Sequence, residues 1–131
     1  LNHIKPVGLD QLLKSADIVT LHTPLDDSTR NILNRQKLEL MKPSAILINA
    51  ARGGLVDEVA LRNMLQDNRI AAAAFDVFAV EPPEDKELLE LPNFLVTPHI
   101  GGSAKEAILA MGMAAIEGLD NAKDPLVFVR N

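Results

Sequence analysis

Four short apolar runs, each broken at its end by a polar or turn-forming residue, constrain this chain more than any other feature. They are Ile18-Val19-Thr20-Leu21, Ala45-Ile46-Leu47-Ile48-Asn49, Ile70–Phe75 and Phe94-Leu95-Val96-Thr97. Runs this short and rich in branched side chains read as buried strands rather than helices. Between them the spacing changes to that of a helix. Leu9, Leu12, Leu13 and Ala16 share one face over Leu9–Ala16, and a second helix is expected over Arg35–Met41, stopped by Pro43. Asp57 is a suitable N-cap for a third, Glu58–Asp67, with Val59, Leu61, Met64 and Leu65 as its apolar positions.

After Pro82-Pro83 the stretch to Pro92 is expected to be irregular, with at most one helical turn. Ser103 and Glu106 have the spacing of a capping box, which opens a long C-terminal helix running to about Asn121. Beyond it, Leu126-Val127-Phe128-Val129 reads either as an edge strand or as an unplaced tail. Strands alternating with helices imply an α/β fold with a parallel, doubly wound sheet. The run Ala45–Asn49 is apolar at alternate and intervening positions, as in a strand covered on both faces. The alanines of Ile70–Phe75 imply that something large packs close against them.

In such sheets the chemistry lies beyond the carboxyl ends of the strands. There the special residues collect: His22-Thr23-Pro24, Ala51-Arg52-Gly53, Asp76 with Glu81, and Thr97-Pro98-His99. Arg52, between a buried strand and a Gly-Gly turn, suits a bidentate grip on a carboxylate; the plainer alternative is a surface arginine paired with a nearby acid. His99 has its approach set by Pro98 and open space from Gly101-Gly102, and imidazole is the side chain best suited to serve as both proton donor and acceptor. His3, near the N-terminus, reads as an ordinary polar residue, and His22 as one that bonds its own loop. Glu81 is either an exposed glutamate or, if it reaches His99, a carboxylate that favours the imidazolium. Asp76 either accepts from an amide or merely begins a turn.

Composition narrows the partners. The net charge is −5, with no basic run, and there is no Trp or Tyr and only four Phe. Nucleic acid and anionic membranes are therefore not expected as partners. No cysteine means no disulfide framework, thiol nucleophile or cysteine-ligated zinc, and no metal site is expected. A cytoplasmic location fits the lack of cysteine, and no segment approaches the ~18 apolar residues of a membrane span.

The runs Ala16–Leu25, Leu47–Glu58, Ala74–Phe78 with Glu81-Pro82, and Asn93–Ser103 resemble the D-isomer-specific 2-hydroxyacid dehydrogenases, most of all the phosphoglycerate dehydrogenase branch. The likeness extends over about Val7–Asp120, in order and spacing. It implies a Rossmann-like sheet, second half only: residues 1–131 would be a partial dinucleotide-binding domain with the substrate domain absent. No Gly-x-Gly-x-x-Gly turn followed by a ribose-binding acid occurs in the sequence.

The resemblance assigns Arg52 to the substrate carboxylate and His99 to the proton. It has Glu81 hold His99 and Asp76 orient a nicotinamide carboxamide. His22, Thr23, Pro24, Ala51, Arg52, His99, Gly101 and Gly102 would meet the cofactor. It implies an oxidoreductase moving a hydride between NAD, with NADP also admissible, and a small 2-hydroxy or 2-oxo acid. Little activity is expected of the chain alone, and a homodimer or higher self-association is expected. The alternative is a non-enzymatic half-domain that dimerises or binds a protein partner.

Overall fold

The computed structural model describes residues 4–121, and these divide into two compact units that meet in the chain between His99 and Ile100. The first unit holds every strand among the described residues. In chain order its elements are α1 (Leu9–Ser15), β1 (Ile18–Leu21), α2 (Arg35–Leu38), β2 (Ile46–Asn49), α3 (Glu58–Gln66), β3 (Ala72–Phe75), α4 (Lys86–Leu89) and β4 (Phe94–Val96). The strands form one parallel sheet in the order β1-β2-β3-β4. Sequential parallel strands joined through helices build the Rossmann-like α/β architecture expected from the sequence.

One face of this sheet is the core. Val19 and Leu21 of β1, Leu47 of β2, Ala73 and Phe75 of β3 and Phe94 of β4 are buried there. Leu13 of α1, Leu38 of α2, Ala60, Leu61, Met64 and Leu65 of α3 and Leu88 of α4 join the same cluster. Phe75, Phe78 and Phe94 stack at centroid separations of 5.4–6.2 Å, so three of the four Phe make a single aromatic knot. The other face departs from expectation. Ile18 is 60% exposed and Leu95 65%, and Ile46 of β2 is also exposed, so within this unit the sheet is covered on one side. Ala72 and Ala74 are half-buried on the open side, beside Ile46 and Leu95.

The helices obey their caps. Asn34, Asp57 and Asp85 accept from the backbone N–H of Lys37, Ala60 and Leu88 at 3.0, 3.0 and 3.1 Å. The single turn α4 is the one helical turn that the proline-rich stretch admits. In α3 the apolar face is Ala60-Leu61-Met64-Leu65, whereas Val59, expected to share it, is exposed on the opposite side of the helix.

In the second unit α5 (Lys105–Asp120) is the long helix expected, but its N-cap is Ala104 without a side-chain bond. The Ser103–Glu106 box is one residue out of register: the Ser103 N–H closes a turn onto the Ile100 carbonyl at 2.9 Å, and the helix starts after it. Ile108, Leu109, Met111, Met113, Ile116 and Leu119 are exposed along α5. Among the described residues no helix is long and apolar enough to cross a membrane. His3 and the run Leu126–Val129 lie outside the described residues.

Candidate active site at the strand ends

Three strand-end loops are braced against one another, and the bracing begins with Asn49. This last residue of β2 is buried, and both ends of its amide are bonded: Nδ2 donates to the Arg52 carbonyl at 2.9 Å and Oδ1 accepts the Ala51 N–H at 3.2 Å. A buried amide without partners would be costly, so here it folds the chain into the turn that carries Arg52. On one side of that turn, the Asn31 N–H donates to the Gly54 carbonyl at 2.8 Å and the Leu33 N–H to Leu55 at 3.1 Å, which ties in the loop after β1. On the other, Gly53 lies so near the loop after β3 that a Cβ there would stand 1.8 Å from the Phe78 carbonyl oxygen. Only glycine fits this crossing.

The loops after β3 and β4 bring together Glu81 and His99. Glu81 Oε2 accepts from His99 Nδ1 at 2.8 Å, and Oε1 accepts from the Phe78 N–H at 3.0 Å. The bond to His99, then that to the Phe78 amide, holds the Glu81 carboxyl below the ordinary glutamate range. With Nδ1 committed to the carboxylate, Nε2 is the ring position left to exchange a proton with a ligand. His99 stands at φ 53°, the left-handed region that costs a side-chain-bearing residue about 1–2 kcal/mol. Backbone strain of this kind collects at functional positions. Asp76 shares the neighbourhood, accepting from Thr97 Oγ1 at 2.5 Å. A cavity of about 560 Å³ adjoins these groups, lined by Asp76, Phe78, Glu81, Val96, Pro98 and His99 among others.

A second, more polar cavity of about 300 Å³ lies at the ends of β1 and β2, lined by His22, Thr23, Pro24, Ala50, Ala51 and Arg52. Arg52 is exposed, and its Nη1 donates to the Ala51 carbonyl at 2.6 Å. His22 bonds through Nε2 to Thr20 Oγ1 at 3.0 Å, a side chain of its own strand rather than the loop backbone. The expected residues of the first unit thus sort into two groups, His99 with Glu81 and Asp76, and Arg52 with His22, Thr23, Pro24 and Ala51. Gly101 and Gly102 belong to the second unit, in the turn before α5.

Asn49 was not singled out by sequence reasoning, and Gly53 and Thr97 were read only as members of the strand-end clusters. An amide ending an otherwise apolar strand was the available signal for Asn49, because a buried polar group must be satisfied by something nearby.

Comparison with known proteins follows the same outline. Residues 1–101 match the model of the D-isomer specific 2-hydroxyacid dehydrogenase, NAD binding domain. A D-3-phosphoglycerate dehydrogenase of Methanocaldococcus jannaschii is 50% identical over 109 residues, which are 83% of this chain and 21% of that protein. A glycerate dehydrogenase of Methylorubrum extorquens is 45% identical over 117 residues, 87% of this chain and 37% of the relative. The NAD-complexed D-isomer-specific 2-hydroxyacid dehydrogenase of Lactobacillus delbrueckii superimposes with a TM-score of 0.74 at 36% identity, covering 91% of this chain and 42% of that one. The chain therefore spans well under half the length of each of these relatives.

Proposed function

The chain belongs to the D-isomer-specific 2-hydroxyacid dehydrogenase family, in its NAD-binding domain, and from that premise we propose that it forms part of an oxidoreductase acting on a small 2-hydroxy or 2-oxo acid. The observation that carries the reading is the Glu81–His99 bond of 2.8 Å at the end of β4. The fit to a nicotinamide cofactor rests on the strand-end groups. Ala50 borders both the second cavity and a smaller one lined by Asp76 and Thr97, and the Asp76 carboxylate, which accepts from Thr97, is an acceptor suited to a carboxamide. When bound, the dinucleotide supplies or takes the hydride at the substrate's C2.

The residues of this chain do the rest. Arg52 binds the substrate carboxylate through its guanidinium fork and draws electron density from the adjacent oxo group. In the reducing direction His99 delivers a proton from Nε2 to the oxo oxygen, so that C=O becomes CH–OH as the hydride reaches carbon; in the oxidising direction the same nitrogen takes the proton back. Glu81 fixes the tautomer and stabilises the imidazolium. His22, Thr23 and Pro24 complete the surroundings of the cofactor in this reading. A phosphoglycerate-like substrate accords with the relative of highest identity quoted above, and NAD with the family; NADP remains an admissible cofactor.

Because the 131 residues hold no Gly-x-Gly-x-x-Gly turn, little or no turnover is proposed for the chain alone. Strand β1 ends the sheet with Ile18 exposed, which favours self-association, a homodimer being the simplest form. We also place the protein in the cytoplasm, in keeping with its lack of cysteine. The test is a titration of NADH fluorescence, followed against a chain without Trp or Tyr. Saturable enhancement that is lost in Asp76→Ala supports the reading, and an unchanged emission with folded protein contradicts it.

A further inference from the structure

We propose that Glu58 is a positioning residue for the Glu81–His99 pair, a strut from helix α3 to the loop that carries Glu81. Glu58 is the first residue of α3, directly after the Asp57 cap. Its Oε1 accepts the Ala79 N–H at 2.8 Å, twenty-one residues away and one residue beyond the amide that Glu81 itself holds. One turn further along α3, Arg62 Nη1 donates to Asp85 Oδ2 at 2.9 Å. The segment 79–85, with Glu81 inside it, is thus gripped near both ends by a single helix. Immediately before that segment, the Phe78 carbonyl crosses against Gly53. The segment's position relative to the Arg52 turn is therefore set by α3 as well as by the crossing.

The electrostatics distinguish a strut from an ordinary helix-terminus acid. Burial pushes the Glu58 carboxyl up, the Ala79 bond pulls against that, and the carboxylates of Asp85, Asp57 and Glu81 add repulsion. An acid placed only to complement the helix dipole would sit exposed to water. Glu58 instead sits half-buried among three like charges. What it obtains there is the Ala79 amide. Any consequence for catalysis rests on the reading of Glu81 and His99 given above, whereas the geometry itself can be tested without substrate.

The experiment is ¹⁵N NMR of the histidine rings at a pH where they are neutral, in the 131-residue chain. In the wild type His99 should be the Nδ1–H tautomer, held by Glu81. Glu58→Gln keeps the acceptor and should keep that signature and the slow exchange of the Ala79 amide. Glu58→Ala, and Glu58→Asp with its shorter reach, should lose both while His22 stays unchanged. Glu58→Asp retains a helix N-terminal acid, so it answers the question even if Glu58→Ala does not fold. Glu81→Ala calibrates the response. If it alters the His99 tautomer but neither Glu58→Ala nor Glu58→Asp does, the strut is refuted and the pair stands. If Glu81→Ala itself leaves His99 unchanged, the pair is refuted and the strut falls with it.

Discussion

Glu81 commits both carboxylate oxygens inside the protein, to His99 and to the Phe78 amide, whereas Arg52 turns one guanidinium nitrogen to the carbonyl of its own neighbour. The backbones beneath the two are equally constrained, since the Arg52 turn is locked by Asn49 and the Glu81 loop by Gly53 and Glu58. The difference lies in the side chains, and it accords with the tasks proposed for them. A proton donor must keep one tautomer before the ligand arrives, so its orienting carboxylate belongs to the protein. A carboxylate receptor must not already hold a carboxylate, because an internal acid would compete with the ligand for the same fork. The protein prearranges the first and leaves the second adjustable.

The largest effect should come from breaking the crossing on which both regions lean. Gly53→Ala places a methyl group against the rigid Phe78 carbonyl and should cost about 3 kcal/mol or more, lowering the denaturant midpoint and disturbing both cavities together. Asn49→Ala acts on the Arg52 side alone. It leaves the Ala51 N–H and the Arg52 carbonyl without their partner and should cost about 2 kcal/mol in the same measurement. Its spectra should leave the His99 ring unmoved.

On the other side, His99→Gly should be more stable than His99→Ala by about 1 kcal/mol, because both lose the ion pair but only glycine escapes the left-handed cost. Equal melting temperatures for the two would mean that His99 is not in that conformation.

The smallest effects are in pH, and they differ in sign. Glu81 has a depressed folded pKa, so its contribution is complete above the ordinary glutamate value and is lost as pH falls through the folded one. Glu81→Gln should therefore flatten the acid limb of the stability curve, an effect that salt weakens because the pair is exposed. Glu58 has a raised folded pKa, so its contribution is complete below the ordinary glutamate value and is lost as pH rises through the folded one. Glu58→Gln should accordingly gain on the wild type between acid and neutral pH.

How far the sequence could be read follows the same physical lines. Periodicity placed all four strands, and α3 and α5, within a few residues, because a strand buried on at least one face and a capped helix declare themselves locally. The open side of the sheet was not legible: Ile18 and Ile46 look like core residues in sequence, and only the packed fold shows which face the helices cover. The Ser103–Glu106 box matched in spacing but not in register, since a competing turn at Ile100–Ser103 takes the Ser103 amide. In the site, His99 and Glu81 were legible as strand-end residues flanked by proline. Glu58 was not, because its meaning depends on a loop twenty-one residues away and on a burial that no local pattern records.

The most direct measurement of the central claim is an amide and side-chain NMR titration with NADH, then with oxamate as a 2-oxo-acid mimic. The account predicts that NADH shifts Thr23, Ala51 and Asp76 in a saturable way. Oxamate should then move the Arg52 Nε–H and the His99 ring while the Glu81–His99 bond persists. Folded protein in which those residues stay still, or in which oxamate moves neither Arg52 nor His99, would contradict it.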